Sequence, residues 1–262
     1  VAVGLVSRRG AAQDVDALAA ARVLEQAFTD AIAAAEPGVV AIARIDEPDA
    51  PRLPLRILDP FDAPDGAAAN QRDPAFVPDH FGSGVILADP RFPDQRFILT
   101  TCHVVYGEAG PGGAARSGTP GLRVFVRLRS GAMIEASTDT RAADWRSDLA
   151  VLRLDLESAG VSPDDVTPIE LGSAEGIRKG KLVVVLGNPY AQARDGSCSA
   201  SLGMISNIAR RPAPPDDAPQ FDSDDASVHH FGTLLQIDSR LHLGGSGGPV
   251  VDLEGRAIAL AT

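Results

Sequence analysis

The first clear pattern along the chain is a helical one. Three apolar residues recur every four positions and form one stripe on a helix: Leu24, Phe28 and Ile32. Asp14 is suited to cap the start of this helix, and Pro37-Gly38 ends it. The pattern predicts a short N-terminal helix within residues 13–38.

After this helix the pattern changes to short β-type segments separated by Gly, Pro and Asp. The segments are Val39–Ile45, Gly84–Ala88, Phe97–Thr100, Leu122–Arg129, Leu149–Leu154, Leu182–Leu186, Leu202–Ile208, Thr233–Ile237, Pro249–Leu253 and Ala257–Leu260. A series of this kind is typical of barrels or a sandwich. We therefore expect an all-β fold, with the stretch Glu157–Pro168 connecting two lobes.

Composition places the chain among ordinary globular proteins. Its 262 residues are 44% hydrophobic and 23% charged, which supports a large core and excludes a fibrous or disordered chain. The 24 Lys and Arg against 35 Asp and Glu give a net charge of −11. Because nucleic-acid binding relies on neutralising phosphates with cationic side chains, nucleic acid is excluded as the main partner.

Two further features bear on the compartment. Val1–Val6 is apolar and is followed by Arg8 and Arg9, so Val1–Ala12 is interpreted as the end of a signal peptide or anchor, with a frayed terminus as the alternative. This interpretation predicts an exported protein, periplasmic or anchored on the outer side of a membrane. The two cysteines, Cys102 and Cys198, exclude a disulfide scaffold and a four-cysteine zinc site, and their pairing stays open.

Three Pro-, Gly- or Asp-rich inserts are expected to be surface loops: Asp46–His80, Gly107–Gly121 and Arg211–His230. The last contains the pair His229-His230 and the carboxylates of Asp222, Asp224 and Asp225. Their spacing matches no zinc or EF-hand template, so we predict no metal site.

The strongest chemical motif is Gly244-Gly245-Ser246-Gly247-Gly248-Pro249, directly before the apolar pair Val250-Val251. Glycines let backbone N–H groups approach a reacting atom closely, so the amides of Gly244 and Ser246 can face a developing oxyanion while Ser246 presents its hydroxyl. A glycine-rich hairpin without chemistry is the alternative.

Two weaker signals complete the set. His103 follows the apolar run Phe97–Leu99, where an imidazole can serve as the base that a serine nucleophile needs. Asp148 precedes the strand beginning at Leu149, where a carboxylate can orient that imidazole. Singly, a core histidine and a strand-capping acid are the simpler interpretations. Together, the chain order His103, Asp148, Ser246 is the order of chymotrypsin-type proteases.

Over residues 26–262 the chain resembles a trypsin-like serine protease of the HtrA (Deg) family. The resemblance lies in the following segments: Gln26–Asp30, Glu36–Ile42, Gly82-Ser83-Gly84-Val85-Ile86-Leu87, Leu186-Gly187-Asn188-Pro189-Tyr190, Ser201–Ser206 and Leu235–Asp238. It implies an all-β, chymotrypsin-like double β-barrel with a short N-terminal helix. The first barrel would occupy residues 39–157, the linker 158–168 and the second barrel 169–262, lacking its C-terminal part.

The resemblance also implies chemistry. His103, Asp148 and Ser246 would form a catalytic triad in the cleft between the barrels, with Gly244, Gly245 and Ser246 forming the oxyanion hole and no cofactor required. The substrates would be unfolded or damaged polypeptides. The side-chain pocket would be formed by the residues just upstream of the serine: Arg240, Leu241, His242 and Leu243. A small or apolar preference is implied, unless Arg240 favours an acidic residue. Homo-oligomerisation and a PDZ domain beyond Thr262 stay open.

The sequence also departs from the family pattern. Members usually carry Asn or Asp directly before the serine, where this chain has Gly245, so a more mobile oxyanion loop is expected. Together with the long loops, this departure leaves open a chaperone-like or peptide-binding module on a protease fold. A further alternative is an esterase or other hydrolase with the same acyl-enzyme chemistry. His242 is a rival base by proximity, but no carboxylate is placed to orient it.

Overall fold

The structure is a computed structural model that describes residues 17–46, 80–107, 122–137, 142–144, 147–187, 197–210, 234–241 and 243–262. The predicted surface loops lie largely outside these ranges. Asp14, the Val1–Ala12 segment, His242 and the His229-His230 pair with its neighbouring aspartates also lie outside the described residues, so the expectations for them stay predictions.

The N-terminal helix α1 spans Ala17–Ala35 and is followed by a 3₁₀ turn at Glu36–Gly38, as the Pro37-Gly38 signal predicted. The C-terminal half of this helix contacts the rest of the protein. Ala31 and Ala35 are buried, while Phe28 and Ile32 pack against a buried cluster of the body of the protein. Two residues of the predicted apolar stripe, Phe28 and Ile32, therefore face the body of the protein, whereas the third, Leu24, is exposed because it lies in the half of the helix that makes fewer contacts.

The first lobe is a closed antiparallel barrel. Its strands are β1 (Val39–Asp46), β2 (His80–Asp89), β3 (Phe92–Thr100), β4 (Leu122–Arg127), β5 (Met133–Ser137), β6 (Ala143–Asp144) and β7 (Leu149–Leu154). The order is β3-β2-β1-β4-β5-β7-β6, and an additional β3–β7 pairing closes six strands into a ring with β6 on the outside of β7. Alternating apolar residues such as Val124, Val126 and Ile134 fill the interior.

The second lobe is an open sheet in the described residues. Its strands are β8 (Leu182–Gly187), β9 (Ser199–Arg210), β10 (Leu234–Ile237), β11 (Pro249–Val251) and β12 (Ala257–Leu260). They lie in the order β10-β9-β8-β11-β12. The chain thus has the predicted all-β, chymotrypsin-like arrangement of one closed barrel and a second, half-closed one. The boundaries 39–157, 158–168 and 169–262 stay predictions.

The two lobes share a buried apolar cluster, which positions the site between them. Val39 and Val85 of the first lobe pack with Val184, Leu186 and Val251 of the second. The connecting segment contains the short helix α3 (Leu156–Ala159) and a 3₁₀ turn at Pro163–Asp165. It is anchored by a hydrogen bond of 2.8 Å from Ile169 N–H to the Ile86 carbonyl.

The structure adds elements that the pattern did not predict. The strands Met133–Ser137 and Ala143–Asp144 were not predicted. The second has only two residues, which is too short for period-two alternation to stand out. The apolar run before His103 does not continue as a strand. It ends at Thr100, and residues Cys102–Tyr106 form a one-turn helix, α2, whose Val104 and Val105 are buried in the barrel core.

None of the described helices has both the length and the apolar character needed to cross a membrane.

Candidate active site

His103 and Asp148 are paired at the edge of the first barrel. Asp148 precedes β7, and His103 lies in the first turn of α2. The Asp148 Oδ2 atom is 2.7 Å from His103 Nδ1, and Asp148 Oδ1 accepts the backbone N–H of His103 at 3.0 Å. Because an ionised carboxylate only accepts hydrogen bonds, this geometry favours the proton on Nδ1 and leaves Nε2 as the basic nitrogen.

Asp148 is held ionised by its surroundings. Burial disfavours the charged carboxylate, but hydrogen bonds from His103 and from the Thr262 hydroxyl, whose Oγ1 lies 2.7 Å from Oδ2, outweigh it and lower the pKa of Asp148 below its ordinary value. The residue adopts a φ of 53°, the one positive φ among the described non-glycine residues. Aspartate tolerates this left-handed conformation better than most residues, and here it turns the carboxylate toward the imidazole.

The neighbouring thiol is not a competing nucleophile. Cys102 is fully buried, and its Sγ contacts the Leu149 carbonyl at 2.9 Å. Burial, together with the nearby Asp148 carboxylate, raises the pKa of Cys102 to about 12. A thiol with that pKa stays protonated near neutral pH and is unreactive.

The glycine-rich loop of Ser246 is a compact turn between β10 and β11. Gly248 N–H donates to the Gly245 carbonyl at 3.0 Å, and Gly247 N–H donates to the Ala261 carbonyl at 2.7 Å. Gly244 and Gly247 have φ values of 93° and 83°. At Gly247 any Cβ would collide with the Ser83 carbonyl and with Thr100 Oγ1. Glycine is therefore required at Gly247, while Ser246 remains partly exposed.

The fold brings Ser246 beside the His103 helix through β2. The Ser246 carbonyl accepts the Ser83 N–H at 2.8 Å. A Cβ built on Gly82 would meet the side chain of Val104, the residue after His103, and would lie 3.1 Å from the Ser246 carbonyl oxygen. In the described part of the chain, Ser246 Oγ and the His103 ring form no hydrogen bond. The backbone of Ser246 therefore lies next to β2 and close to Val104, the residue that follows His103.

Two backbone N–H groups of the loop are candidate donors to an oxyanion. Within the described part of the chain, the N–H groups of Gly244 and Ser246 take part in no backbone hydrogen bond. The N–H and C=O of a trans peptide point in opposite directions. Since the Gly245 carbonyl is committed inward to Gly248, the Ser246 N–H is directed to the other side of that peptide. Two such amides are the donors that an oxyanion hole requires.

The predicted substrate pocket is only partly described. Arg240, Leu241 and Leu243 are all exposed, with Leu243 at 69%. Leu241 borders a largely apolar cavity of about 740 Å³ that also reaches Asp148 and Thr262. Arg240 is not among the residues that line this cavity. No cluster of three potential metal ligands occurs among the described residues.

Two polar residues of the site were not identified from the sequence. Thr262 donates to Asp148, which is 114 residues away, and the buried Ser83 contacts the loop 161 residues away. No local pattern marks the contact of Thr262, whereas the contact of Ser83 had one local signal. The Gly82-Ser83-Gly84 motif was the available signal, because glycines within a strand indicate close approach of another backbone.

Comparison with known proteins agrees with this architecture. A family model described as a trypsin-like peptidase domain matches residues 82–260. A curated relative, the mitochondrial serine protease HTRA2 of Bos taurus, is 30% identical over 186 residues, which cover 71% of this chain and 32% of the relative. The chain spans about a third of the length of the curated relatives it matches.

Solved structures of similar fold include Deg5, with a TM-score of 0.55 and 20% identity over 90% of this chain and 84% of that one. The HtrA-type protease AlgW with a decapeptide has a TM-score of 0.54 and 24% identity, covering 90% of this chain and 58% of that one. At these identities the likeness concerns the fold. With the family match over most of the chain, the conclusion is that the chain belongs to the trypsin-like peptidase family, with a protease domain of the HtrA type.

Proposed function

We propose that this chain is the protease domain of a serine endopeptidase in which Ser246 is the nucleophile, His103 the general base and acid, and Asp148 the group that orients His103. The observation that carries the proposal is the Asp148–His103 pair, at 2.7 Å and on the Nδ1 side of the ring. It is supported by the loop of Ser246, in which the Gly244 and Ser246 amides make no backbone hydrogen bond within the described residues. This is the division of roles that acyl transfer by a serine requires.

The proposed reaction proceeds through an acyl-enzyme. Ser246 Oγ attacks the peptide carbonyl carbon while His103 Nε2 takes the hydroxyl proton. The oxygen becomes an anion held by the amides of Gly244 and Ser246, with Gly245 between them. His103 then protonates the leaving amine, the C–N bond breaks, and water repeats the sequence to release the acid. Asp148, ionised because its pKa is lowered, stabilises the imidazolium in both halves.

The substrates we propose are polypeptides in extended, unfolded form. Leu241 and Leu243 are exposed apolar side chains close to the loop of Ser246, and they suit apolar segments that unfolded proteins expose. Arg240 beside them would favour an acidic residue at the cleavage site instead. A peptide library profiled by mass spectrometry separates the two preferences.

The test of the nucleophile is Ser246→Ala in the full chain, with Ser239→Ala as a matched control. Ser239 lies seven residues earlier, and its buried hydroxyl has no hydrogen-bond partner among the described residues, so its loss should be neutral. We expect Ser246→Ala to lower casein turnover by about 10⁶-fold, as for loss of a protease nucleophile in general. Casein cleavage by Ser246→Ala at the parental rate would show that the nucleophile is another residue.

The second candidate is a peptide-binding module with little activity. Gly245 in place of a larger residue favours it, as does the fact that Ser246 and His103 form no hydrogen bond among the described residues. A fluorophosphonate probe separates the candidates, because labelling of Ser246 requires an activated hydroxyl. Labelled protein that cleaves esters but not amides would instead indicate an esterase.

For location and assembly we keep three proposals: export from the cytoplasm, homo-oligomerisation, and a PDZ domain elsewhere in the protein. Cell fractionation and light scattering of the full-length protein test the first two. Nucleic acid is not proposed as a partner because of the net charge of −11.

A further inference from the structure

Ser83 is a buried polar residue at the junction of the two lobes, and the proposed chemistry does not use it. It lies on β2 of the first barrel and is 0% exposed. Its N–H donates to the Ser246 carbonyl at 2.8 Å, and its hydroxyl donates to the Gly244 carbonyl at 2.7 Å. Its own carbonyl accepts the Thr100 hydroxyl at 2.7 Å. All three polar groups of Ser83 are therefore engaged.

The hydroxyl contact is significant because of where the Gly244 carbonyl lies. This carbonyl belongs to the peptide that joins Gly244 to Gly245, and a planar peptide turns as a unit. Two consecutive glycines place almost no steric restriction on such a rotation. The Ser83 Oγ–Gly244 bond opposes it, since rotating the peptide would leave a buried carbonyl without its donor.

The loop is thus tethered at successive peptides. The Gly244 carbonyl is held by Ser83, the Gly245 carbonyl by Gly248 N–H, and the Ser246 carbonyl by the Ser83 N–H. The Gly245 carbonyl belongs to the same peptide as the Ser246 N–H, and the other two carbonyls belong to the peptides on either side of it. Fixing all three therefore restricts the direction of the Ser246 N–H. It also limits the backbone rotation that sets the direction of the Gly244 N–H. The first of the tethers comes from a side chain.

Ser83 is itself held in place. Thr100 on the neighbouring strand β3 fixes its carbonyl, and Gly187 at the end of β8 encloses its hydroxyl, since a Cβ built on Gly187 would lie 3.1 Å from Ser83 Oγ and 3.2 Å from Gly245 Cα. A hydroxyl enclosed in this way has little rotational freedom, so its hydrogen bond acts as a rigid constraint.

We propose that Ser83 is a positioning residue that holds the Gly244–Ser246 backbone in the orientation needed for oxyanion binding. From β2 it provides a restraint that Gly245, which has no side chain, does not provide. The inference rests on the proposed function, because it requires an oxyanion to be bound. It states that a residue of the first barrel orients the Ser246 loop of the second lobe.

The test is Ser83→Ala in the full chain, measured against the parent and against Ile98→Val. Ile98 is fully buried in the same barrel, and its trimming weakens the core without touching the loop. Turnover of a peptide amide is expressed per active site, counted from the end point of fluorophosphonate labelling. We expect kcat to fall by about 10- to 100-fold in Ser83→Ala with KM within twofold, because misaligned donors lose part of the 10²–10³ that one donor contributes. Ile98→Val should keep the parental kcat per site.

A peptide boronate gives an independent measurement, because its adduct with a serine is tetrahedral and anionic. Its inhibition constant should rise in Ser83→Ala by the same factor by which kcat falls, and should stay at the parental value in Ile98→Val. Ser83→Cys retains a weak donor and should lie between the two. If Ser83→Ala does not fold, Ser83→Cys alone decides, with an expected loss of about 3- to 10-fold.

A kcat per labelled site and a boronate affinity within twofold of the parent, in whichever Ser83 variant folds, would overturn the positioning role. A rise in KM at unchanged kcat would also overturn it, since that indicates loss of binding instead of loss of transition-state stabilisation. Failure of the parent itself to label or to cleave would refute the proposed function instead, so the two failures are distinguishable.

Discussion

Thr262 and Asp148 are joined by a hydrogen bond of 2.7 Å from the Thr262 hydroxyl to Asp148 Oδ2, the oxygen that also faces the His103 ring. The bond connects the second residue after β12 of the second lobe to a carboxylate of the first lobe. It is one of the contacts that keep the pKa of Asp148 low despite burial of the carboxylate.

We expect Thr262→Val to raise the pKa of Asp148 toward its ordinary value. A carboxylate whose pKa is lower in the folded than in the unfolded protein stabilises the fold above its unfolded pKa of about 3.9, and loses this contribution as the pH falls through the folded value. Because the folded pKa of Asp148 is higher in the variant, its carboxylate contributes less to the free energy of unfolding at pH 7. On acidification this contribution is lost at a higher pH than in the parent.

Urea unfolding of Thr262→Val between pH 2.5 and pH 7 measures this effect. A loss of about 1.5–3 kcal/mol in the free energy of unfolding at pH 7 is expected, the usual range for a hydrogen bond to a charged group. The difference from the parent should shrink toward the acid end of the series. Thr167→Val, at an exposed hydroxyl, is the control. A difference that grows on acidification would contradict the assignment.

Asp148→Asn tests the orientation of the imidazole. An amide at this position has nearly the same shape, but its NH₂ group would favour the wrong tautomer of His103 and would not stabilise the imidazolium. In the trypsin example the same change lowers kcat by about 10⁴-fold, and we expect a loss of that order here. Peptide-amide turnover at pH 7 is the measurement, with Asp165→Asn at an exposed carboxylate as control. Retention of a tenth of the parental kcat would exclude the proposed role.

The sequence predicted the all-β class, the docking helix and most strand positions because period-two alternation and Gly or Pro breaks are local signals. It also predicted that Asp148 lies beside the imidazole of His103, and the structure places Asp148 Oδ2 2.7 Å from His103 Nδ1. The helical turn that carries His103 was not predicted, because it depends on the packing of Val104 and Val105 into the barrel. The positive φ of Asp148 was not predicted either, because no local pattern marks it.

What the sequence could not give is the set of contacts between distant segments. Ser83 reads as one polar residue in a strand, and its partners Gly244 and Ser246 lie more than 160 residues away. The requirement for glycine at Gly247 likewise follows from the approach of β2 and β3 to the loop. Such contacts arise when two lobes pack together, which hydrophobic periodicity does not encode.

Gly247→Ala and Gly176→Ala form a matched pair for this requirement. Both glycines have a positive φ, at 83° and 73°, so both alanines carry backbone strain of about 1–2 kcal/mol. A Cβ at Gly176 meets nothing within 4 Å, whereas at Gly247 it collides with the Ser83 carbonyl and Thr100 Oγ1. We expect Gly247→Ala to lose a further 1–3 kcal/mol or so by overpacking, measured as thermal unfolding. Equal losses in the two variants would contradict the close approach of β2 and the loop.

Arg96 is the proposed anchor of the segment that connects the two lobes. Although buried, its guanidinium is satisfied by backbone carbonyls alone: Nε by Val166 at 3.1 Å, Nη2 by Pro163 at 2.8 Å, and Nη1 by Pro93 and Gln95. A lysine has one donor centre and does not reproduce this fork.

We expect Arg96→Lys to lower the free energy of unfolding by about 1.5–3 kcal/mol, since donors that bonded the connecting segment are lost. Limited proteolysis should then cut preferentially near Pro163–Val166, while the exposed control Arg178→Lys stays at the parental rate. Unchanged cleavage together with unchanged stability would show that the connecting segment does not depend on Arg96.

The two thiols offer a test of burial on both sides of the lobe junction. Both cysteines are free, and burial raises the pKa of each to about 12, with the Asp148 carboxylate adding to the effect at Cys102 and the Glu36 carboxylate at Cys198. At pH 8 only about one in 10⁴ of such thiols is ionised, against roughly a quarter of an ordinary cysteine. Iodoacetamide should therefore modify neither residue over an hour in the native protein and both in 8 M urea, as peptide mapping would show. Rapid modification of native Cys102 would mean that the crevice beside His103 opens to solvent, and the packing of α2 against the barrel would then need revision.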